Sequence, residues 1–212
     1  GECVLDKSIE IIPDLLEKTA AAYPGYRAVD DGTASYTWKE VLERSRYYGI
    51  VFSGLSRAKK PVAILTLKTS DILCMMFGCL YADCFYVCID PLQPLSRIGN
   101  ILSVMDPELV ITDEKYRSLA AEAGYNGNLL ILEECIPEND TVINTINDPE
   151  NIFVLEERHR NISCDDTLYG IFTSGSTGVP KGILISHRCV IDFISHFTGI
   201  FNITCDDRLA NQ

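Results

Sequence analysis

The chain has 212 residues, with 18 Lys and Arg against 30 Asp and Glu, for a formal net charge of −12. Hydrophobic residues make up 47% and charged residues 23%, enough to bury a sizeable core in one large domain or two small ones. The acidity argues against a nucleic-acid partner, which needs a basic face, but leaves room for a mononucleotide gripped by a few local groups.

No apolar run is long enough to span a bilayer, and the longest, Ile72–Leu80, reads as core. The opening GECVLDKSIE lacks a basic region followed by an apolar stretch, so no signal peptide and a cytoplasmic location are expected. The cysteines are Cys3, Cys74, Cys79, Cys84, Cys88, Cys135, Cys164, Cys189 and Cys205. None forms a CxxC pair, and the spacings match no common ligand pattern. The expectation is small buried hydrophobes, with neither zinc nor disulfide and no metal site.

In chain order, Pro13–Tyr23 predicts a short amphipathic helix with proline near its first turn. Tyr26–Asp30 and Thr33–Tyr36 flank Asp31-Gly32 as a hairpin. Thr37-Trp38-Lys39-Glu40 is a capping box opening a helix to about Leu55. The basic run Arg57–Lys60 reads as a solvated turn before an apolar strand, Val62–Leu67. Ser70 caps the next helix, Phe85–Ile89 is a strand stopped by Asp90-Pro91, and Ser96 opens a helix to Met105. Strand Leu109–Thr112, a helix near Tyr116–Ala123 and strand Leu129–Leu132 follow. Residues 133–165 lose periodicity and are expected to be a surface connection with one short helix at most. A strand, a glycine-rich loop, a strand and a helix then complete the chain. The alternation predicts an α/β fold of layered sheets covered by helices, the strands buried on both faces.

The chemistry concentrates in residues 173–182, Thr-Ser-Gly-Ser-Thr-Gly-Val-Pro-Lys-Gly. Leu168–Phe172 precedes them and Ile183–Ile185 follows, both strand-like, so the loop leaves a strand end where open α/β sheets place ligands. Gly175 and Gly178 permit the backbone turns that aim successive N–H groups at one anion. Thr173, Ser174, Ser176 and Thr177 add hydroxyls and Lys181 adds charge, a set suited to polyphosphate. The loop is not the GxxxxGK[ST] P-loop: Pro180 stands where the second glycine belongs, Gly182 follows the lysine, and no helix comes next.

This loop resembles, at every defined position, the TSG[ST]TGxPKG signature of the adenylate-forming (AMP-binding) superfamily. That superfamily includes amino-acid adenylation domains of nonribosomal peptide synthetases, D-alanine–carrier protein ligases, acyl-CoA synthetases and luciferases. Ser35–Leu42 is similar to the family's early TYxEL segment. Cys79–Asp90, with Pro91 and Ser96-Arg97-Ile98, is similar to the LKAGAYVPIDP…RI segment of amino-acid activators. Asp83 replaces the usual glycine there and Cys88 the usual proline, at positions expected to be weakly constrained.

The resemblance implies that residues 1–212 are the amino-terminal portion of a large adenylation domain, without its carboxy-terminal part and lid domain. It implies ATP and Mg²⁺ as cofactors and a phosphate grip by Thr173, Ser174, Gly175, Ser176, Thr177, Gly178, Lys181 and Gly182, with no catalytic residue assigned inside the chain. It further implies activation of an amino acid or other small carboxylic acid, transfer to a carrier protein's phosphopantetheine arm, and an inactive fragment. An acyl-CoA synthetase or a non-catalytic nucleotide-binding fragment are the alternatives. Ser186 is expected to cap a helix with His187 packed near its first turn; contact of His187 with substrate or nucleotide is the other reading. His196 is expected in core or at the surface, and His159 in solvent.

Overall fold

The computed structural model describes residues 9–173, 180–204 and 207–209. Helix α1 (Ile12–Ala22) precedes a hairpin of β1 (Arg27–Asp30) and β2 (Ser35–Thr37). Asp31 ties its turn by accepting from the amides of Thr33 and Ala34, both at 2.8 Å. Helix α2 (Trp38–Leu55) starts on the expected capping box: Glu40 N–H donates to Thr37 Oγ1 and Thr37 N–H to Glu40 Oε2.

Strands and helices then alternate: β3 (Pro61–Leu65), α3 (Ser70–Tyr81), β4 (Phe85–Cys88), α4 (Leu95–Met105), β5 (Leu109–Thr112), α5 (Arg117–Glu122) and β6 (Asn128–Ile131). Thr69, not Ser70, caps α3, accepting from Ile72 N–H at 3.2 Å. Ser70 is its first residue, its amide bound to Asp31 Oδ2 at 2.6 Å. Likewise α4 opens at Leu95 behind Pro94, one residue before Ser96.

Residues 133–165 depart from expectation in part. They lie largely at the surface, as expected, but hold most of α6 (Leu132–Cys135), α7 (Asn139–Ile146) and α8 (Pro149–Arg160) rather than one short helix. Asp148 caps α8, accepting from Glu150 and Asn151, and Pro149 opens it. No residue of α8 is fully buried; Ile152–Leu155 form one consecutive apolar run, of which half-buried Leu155 packs on the α2–α3 core, so the helix shows no periodic apolar stripe to read. Strands β7 (Thr167–Thr173) and β8 (Lys181–Ser186) and helix α9 (His187–Phe201) follow.

Six strands form one sheet in the order β6-β5-β3-β4-β7-β8. All neighbours run parallel except β8, which is antiparallel to β7. Strand side chains alternate between two cores, as the two-residue period requires. Val62, Ile64, Leu109 and Ile111 face α2 and α3, with Tyr48, Phe52 and Met75. Ala63, Leu65, Val87 and Val110 face α4 and α5, with Ile98, Ile101 and Leu102. A smaller cluster of Ile9, Ile12, Leu80, Leu168 and Ile191 seats the first described residues against α9.

The basic run Arg57–Lys60 is not merely solvated. Arg57 pairs with Glu108, and Lys59 Nζ donates to Asp83 Oδ1 at 2.6 Å, Asp166 Oδ2 at 2.6 Å and Asn161 O at 2.9 Å. Asp83 is not weakly constrained either: its φ is 56°, a left-handed conformation that glycine adopts freely and aspartate tolerates. The side chain that replaces glycine there is 3% exposed and joins the Lys59 cluster. Burial raises its carboxyl pKa against the opposing pull of Lys59. Among the described cysteines, all free, Cys74, Cys79 and Cys84 are buried as expected, whereas Cys88 and Cys189 are exposed. No described helix is long and apolar enough to cross a membrane.

Candidate functional site

The carboxyl ends of β3, β4, β5 and β7 define one edge of the sheet, and the glycine-rich loop departs from it. Rungs Phe172↔Gly182 and Thr173↔Lys181 close the β7–β8 ladder at this edge. Thr173 and Lys181, eight residues apart in sequence, therefore stand side by side, with Thr173 Oγ1 donating to Lys181 O at 3.5 Å. Both are exposed, as is Gly182. Gly182 lies against the Phe172 ring: a Cβ there would sit 3.2 Å from both Cε1 and Cζ. Ser174, Gly175, Ser176, Thr177 and Gly178 lie outside the described residues. The structure thus brings Thr173, Lys181 and Gly182 together at the two roots of the loop.

Arg97, which sequence reasoning left without a role, shares this edge. It lies in the first turn of α4 and donates from Nη2 to the Phe172 carbonyl at 3.4 Å. Its Nε donates to Gln93 Oε1 at 2.8 Å. The Ser96-Arg97-Ile98 triplet marks the position without indicating what the guanidinium reaches. Among the described residues, no three His, Cys, Asp or Glu side chains converge to hold a metal, so they offer no Mg²⁺ cage.

His187 belongs to the other edge. It follows β8, on the order of 20 Å of extended strand away from Lys181. Ser186 caps α9 by accepting from Cys189 N–H at 3.3 Å, as expected. The His187 ring is 2% exposed, and its Nδ1 accepts the Ile12 amide at 3.1 Å. Accepting an N–H at Nδ1 requires a lone pair there, which leaves the proton on Nε2 and the ring neutral. The geometry therefore supports the packing role over contact with substrate. His159 is less solvated than expected, its Nε2 lying 2.8 Å from Asp14 Oδ1, and His196 is exposed on α9. A cavity of about 170 Å³ beside His187, lined by Lys59, Asp83 and Asp166, also lies on this amino edge, away from the loop.

Burial pushes the His187 pKa down to about 4, against the opposing attraction of Asp166. The folded value lies below the unfolded one, so the unfolded chain binds the extra proton. Stability is full above about pH 6.5 and is lost as pH falls towards 4. Urea unfolding at pH 7 and pH 5 should show His187 costing about 2 kcal/mol over that interval. His187→Asn, which keeps an acceptor for Ile12 but does not titrate, should lack that part of the loss. An identical pH dependence in both proteins would contradict the assignment.

Comparison with known proteins agrees with this geometry. The family model described as AMP-binding enzyme matches residues 16–211. Over 93% of its length the chain is 31% identical to a plipastatin synthase polypeptide of Bacillus subtilis (strain 168), covering 7% of that protein. It is equally 31% identical to the D-alanine--D-alanyl carrier protein ligase of Staphylococcus aureus (strain MRSA252), over 93% of this chain and 36% of the ligase. The chain thus spans about a third of the ligase and a small part of the synthase. Among solved structures, VinN in complex with L-aspartate shares the fold with a TM-score of 0.75 at 18% identity, over 93% of this chain and 54% of VinN. A signature loop rooted at the carboxyl edge and a family match along nearly the whole length lead to one conclusion: the chain belongs to the AMP-binding family of adenylate-forming enzymes.

Proposed function

We propose that these residues form the phosphate-gripping part of a site that activates a small amino acid as its adenylate and passes it to the thiol of a carrier protein's phosphopantetheine arm. The observation that carries this is the pairing of Thr173 with Lys181 on the last rung of β7–β8, which roots both ends of the loop at the ligand edge of the sheet. The acid's carboxylate oxygen attacks the α-phosphorus of ATP, the bond to the bridging oxygen breaks, and pyrophosphate leaves with that electron pair. Negative charge grows on the leaving group, where Lys181 and the hydroxyls of Thr173, Ser174, Ser176 and Thr177 act through electrostatic stabilisation. Mg²⁺ bound with the nucleotide would supply further neutralisation of that charge, with no protein cage for it among the described residues. The amino-acid reading draws on the relatives' names, a D-alanine ligase and a plipastatin synthase, and on the similarity of Cys79–Asp90 to amino-acid activators.

The test is ATP–pyrophosphate exchange by the full-length protein that carries these residues. Small amino acids should support exchange and carrier loading. Exchange with fatty or aryl acids only, with release to coenzyme A, would move the protein to the acyl-CoA synthetases. The 212 residues alone, spanning a third of the ligase relative, should support no exchange; robust amino-acid-dependent exchange by them would refute this.

A further inference from the structure

We propose that Arg97 is a positioning residue for the phosphate loop, its guanidinium fixing the strand end from which the loop departs. This role rests on the adenylation reading above and adds a residue to it. The sheet has a gap at this point. Strand β7 pairs with β4 only at Tyr86↔Tyr169 and Val87↔Gly170. Ile171, Phe172 and Thr173 run on past that register, paired with β8 alone. A β7 end held on one side can pivot about the ladder, and Lys181 would pivot with it.

Arg97 closes the open side. Its Nη2 donates to the Phe172 carbonyl, supplying a donor where β4 offers no further rung. Gln93, four residues earlier, orients the guanidinium through Nε. The next residue, Ile98, is fully buried in the core shared by α4 and the sheet, so the base of the Arg97 side chain is anchored. The Phe172 ring packs against that same core and over Gly182. Phe172 is thus held by its carbonyl and by its ring, and the Thr173–Lys181 rung beyond it inherits a fixed position. No carboxylate stands within ion-pair distance of Arg97 among the described residues, so the contact to Phe172 is not a by-product of a salt bridge. Such a group acts through the loop: displacing phosphate ligands from where charge develops lowers the rate of adenylation more than the affinity for ATP.

The experiment uses the full-length protein carrying Arg97→Met, Arg97→Lys or Gln93→Leu. Each is assayed for ATP–pyrophosphate exchange, for transfer from preformed aminoacyl-adenylate, and for melting temperature. Arg97→Met should lower kcat for exchange about tenfold with KM for ATP within about twofold, leaving transfer and melting unchanged. Arg97→Lys, which can still donate to the carbonyl, should recover most of the rate. Gln93→Leu should lower exchange about threefold, and it carries the test if Arg97→Met does not fold, because Gln93 is a half-exposed turn residue. Wild-type exchange in both Arg97→Met and Gln93→Leu would overturn the proposal. So would equal loss in exchange and transfer, or a rise in KM with kcat unchanged, the mark of a direct ground-state ligand. A wild-type protein that exchanges nothing with any acid overturns the adenylation reading and this proposal together. Normal wild-type exchange beside indifferent variants overturns this proposal alone.

Discussion

Lys181→Ala in the full-length protein is expected to slow adenylate formation by tens to hundreds of fold, or about 2–4 kcal/mol of transition-state stabilisation. Lys181 is exposed at the first position of β8 and packs into none of the hydrophobic cores, so the loss should come without a loss of fold. It stands beside Thr173 at the root of the loop, where the charge of departing pyrophosphate would collect. Thr173→Ala should act in the same direction at the lower end of the range, because the neighbouring Ser174 hydroxyl can replace it. Thiol transfer begins after pyrophosphate has left, so it should be spared in both variants. Pyrophosphate exchange measured beside transfer from preformed aminoacyl-adenylate separates the two steps. Equal losses in both, or unchanged exchange with normal melting curves, would show that Lys181 is not a phosphate ligand.

Gly78→Ala should destabilise the protein by about 3 kcal/mol, the upper end of what overpacking a filled core costs. Helices α2 and α3 approach so closely that a glycine of each lies under an aromatic residue of the other. A Cβ on Gly78 would come 2.5 Å from Tyr48 Cβ and 3.2 Å from Phe52 Cε2, and a Cβ on Gly49 would come 2.6 Å from Tyr81 Cβ. Tyr48 and Phe52 are both 0% exposed and have no room to retreat. The clash overrides the roughly 1 kcal/mol by which alanine is favoured over glycine inside a helix. Gly54→Ala is the control: it lies on the same α2, a Cβ there meets nothing within 4 Å, and it should stabilise by about 0.5–1 kcal/mol. Two Gly→Ala changes with opposite signs in urea unfolding would confirm that helix approach sets the cost. A neutral Gly78→Ala would refute it.

Much of the fold is legible in the sequence because its elements carry local signals. The continuous apolar run at β3 announces a strand covered on both faces, and Thr37 with Glu40 announces the start of α2. Elements that lack a local signal, or carry a competing one, are the ones that pattern misses. Helix α8 has no fully buried residue and only shallow packing, through Leu155, so hydrophobic period says little, and Asp148-Pro149 marks its start. Lys59 reads as solvated in sequence because its carboxylate partners, Asp83 and Asp166, are 24 and 107 residues away. Strand order is likewise non-local: no pattern within Leu168–Phe172 says that its neighbour is Phe85–Cys88.

The candidate site is legible as a motif but not as a place. Spacing alone shows that glycines, hydroxyls and a lysine share a loop. Only the β7–β8 register shows Thr173 beside Lys181 and Gly182 beneath Phe172. Arg97 could not be assigned from sequence because its partner is a backbone carbonyl 75 residues away, and any residue supplies one. Asp83 gives the opposite lesson. A departure from a family glycine reads as slack, yet the left-handed φ of 56° makes that position one of the more demanding in the chain.

The position of β7 in the sheet also sets an order of events during synthesis. Strands β3, β4, β5 and β6 can pair as soon as β6 has emerged, since their rungs join segments close in sequence. The outer side of β4 must wait for β7, whose Tyr169 follows Tyr86 by roughly 80 residues, several seconds at ribosomal speeds. In that interval the main-chain amide and carbonyl of Tyr86, which point away from β3, face outward as an unpaired border, open to capture by another nascent chain. The delay makes docking of the loop-bearing strand pair a late, non-local step in folding, so the candidate site is assembled after the scaffold that holds it.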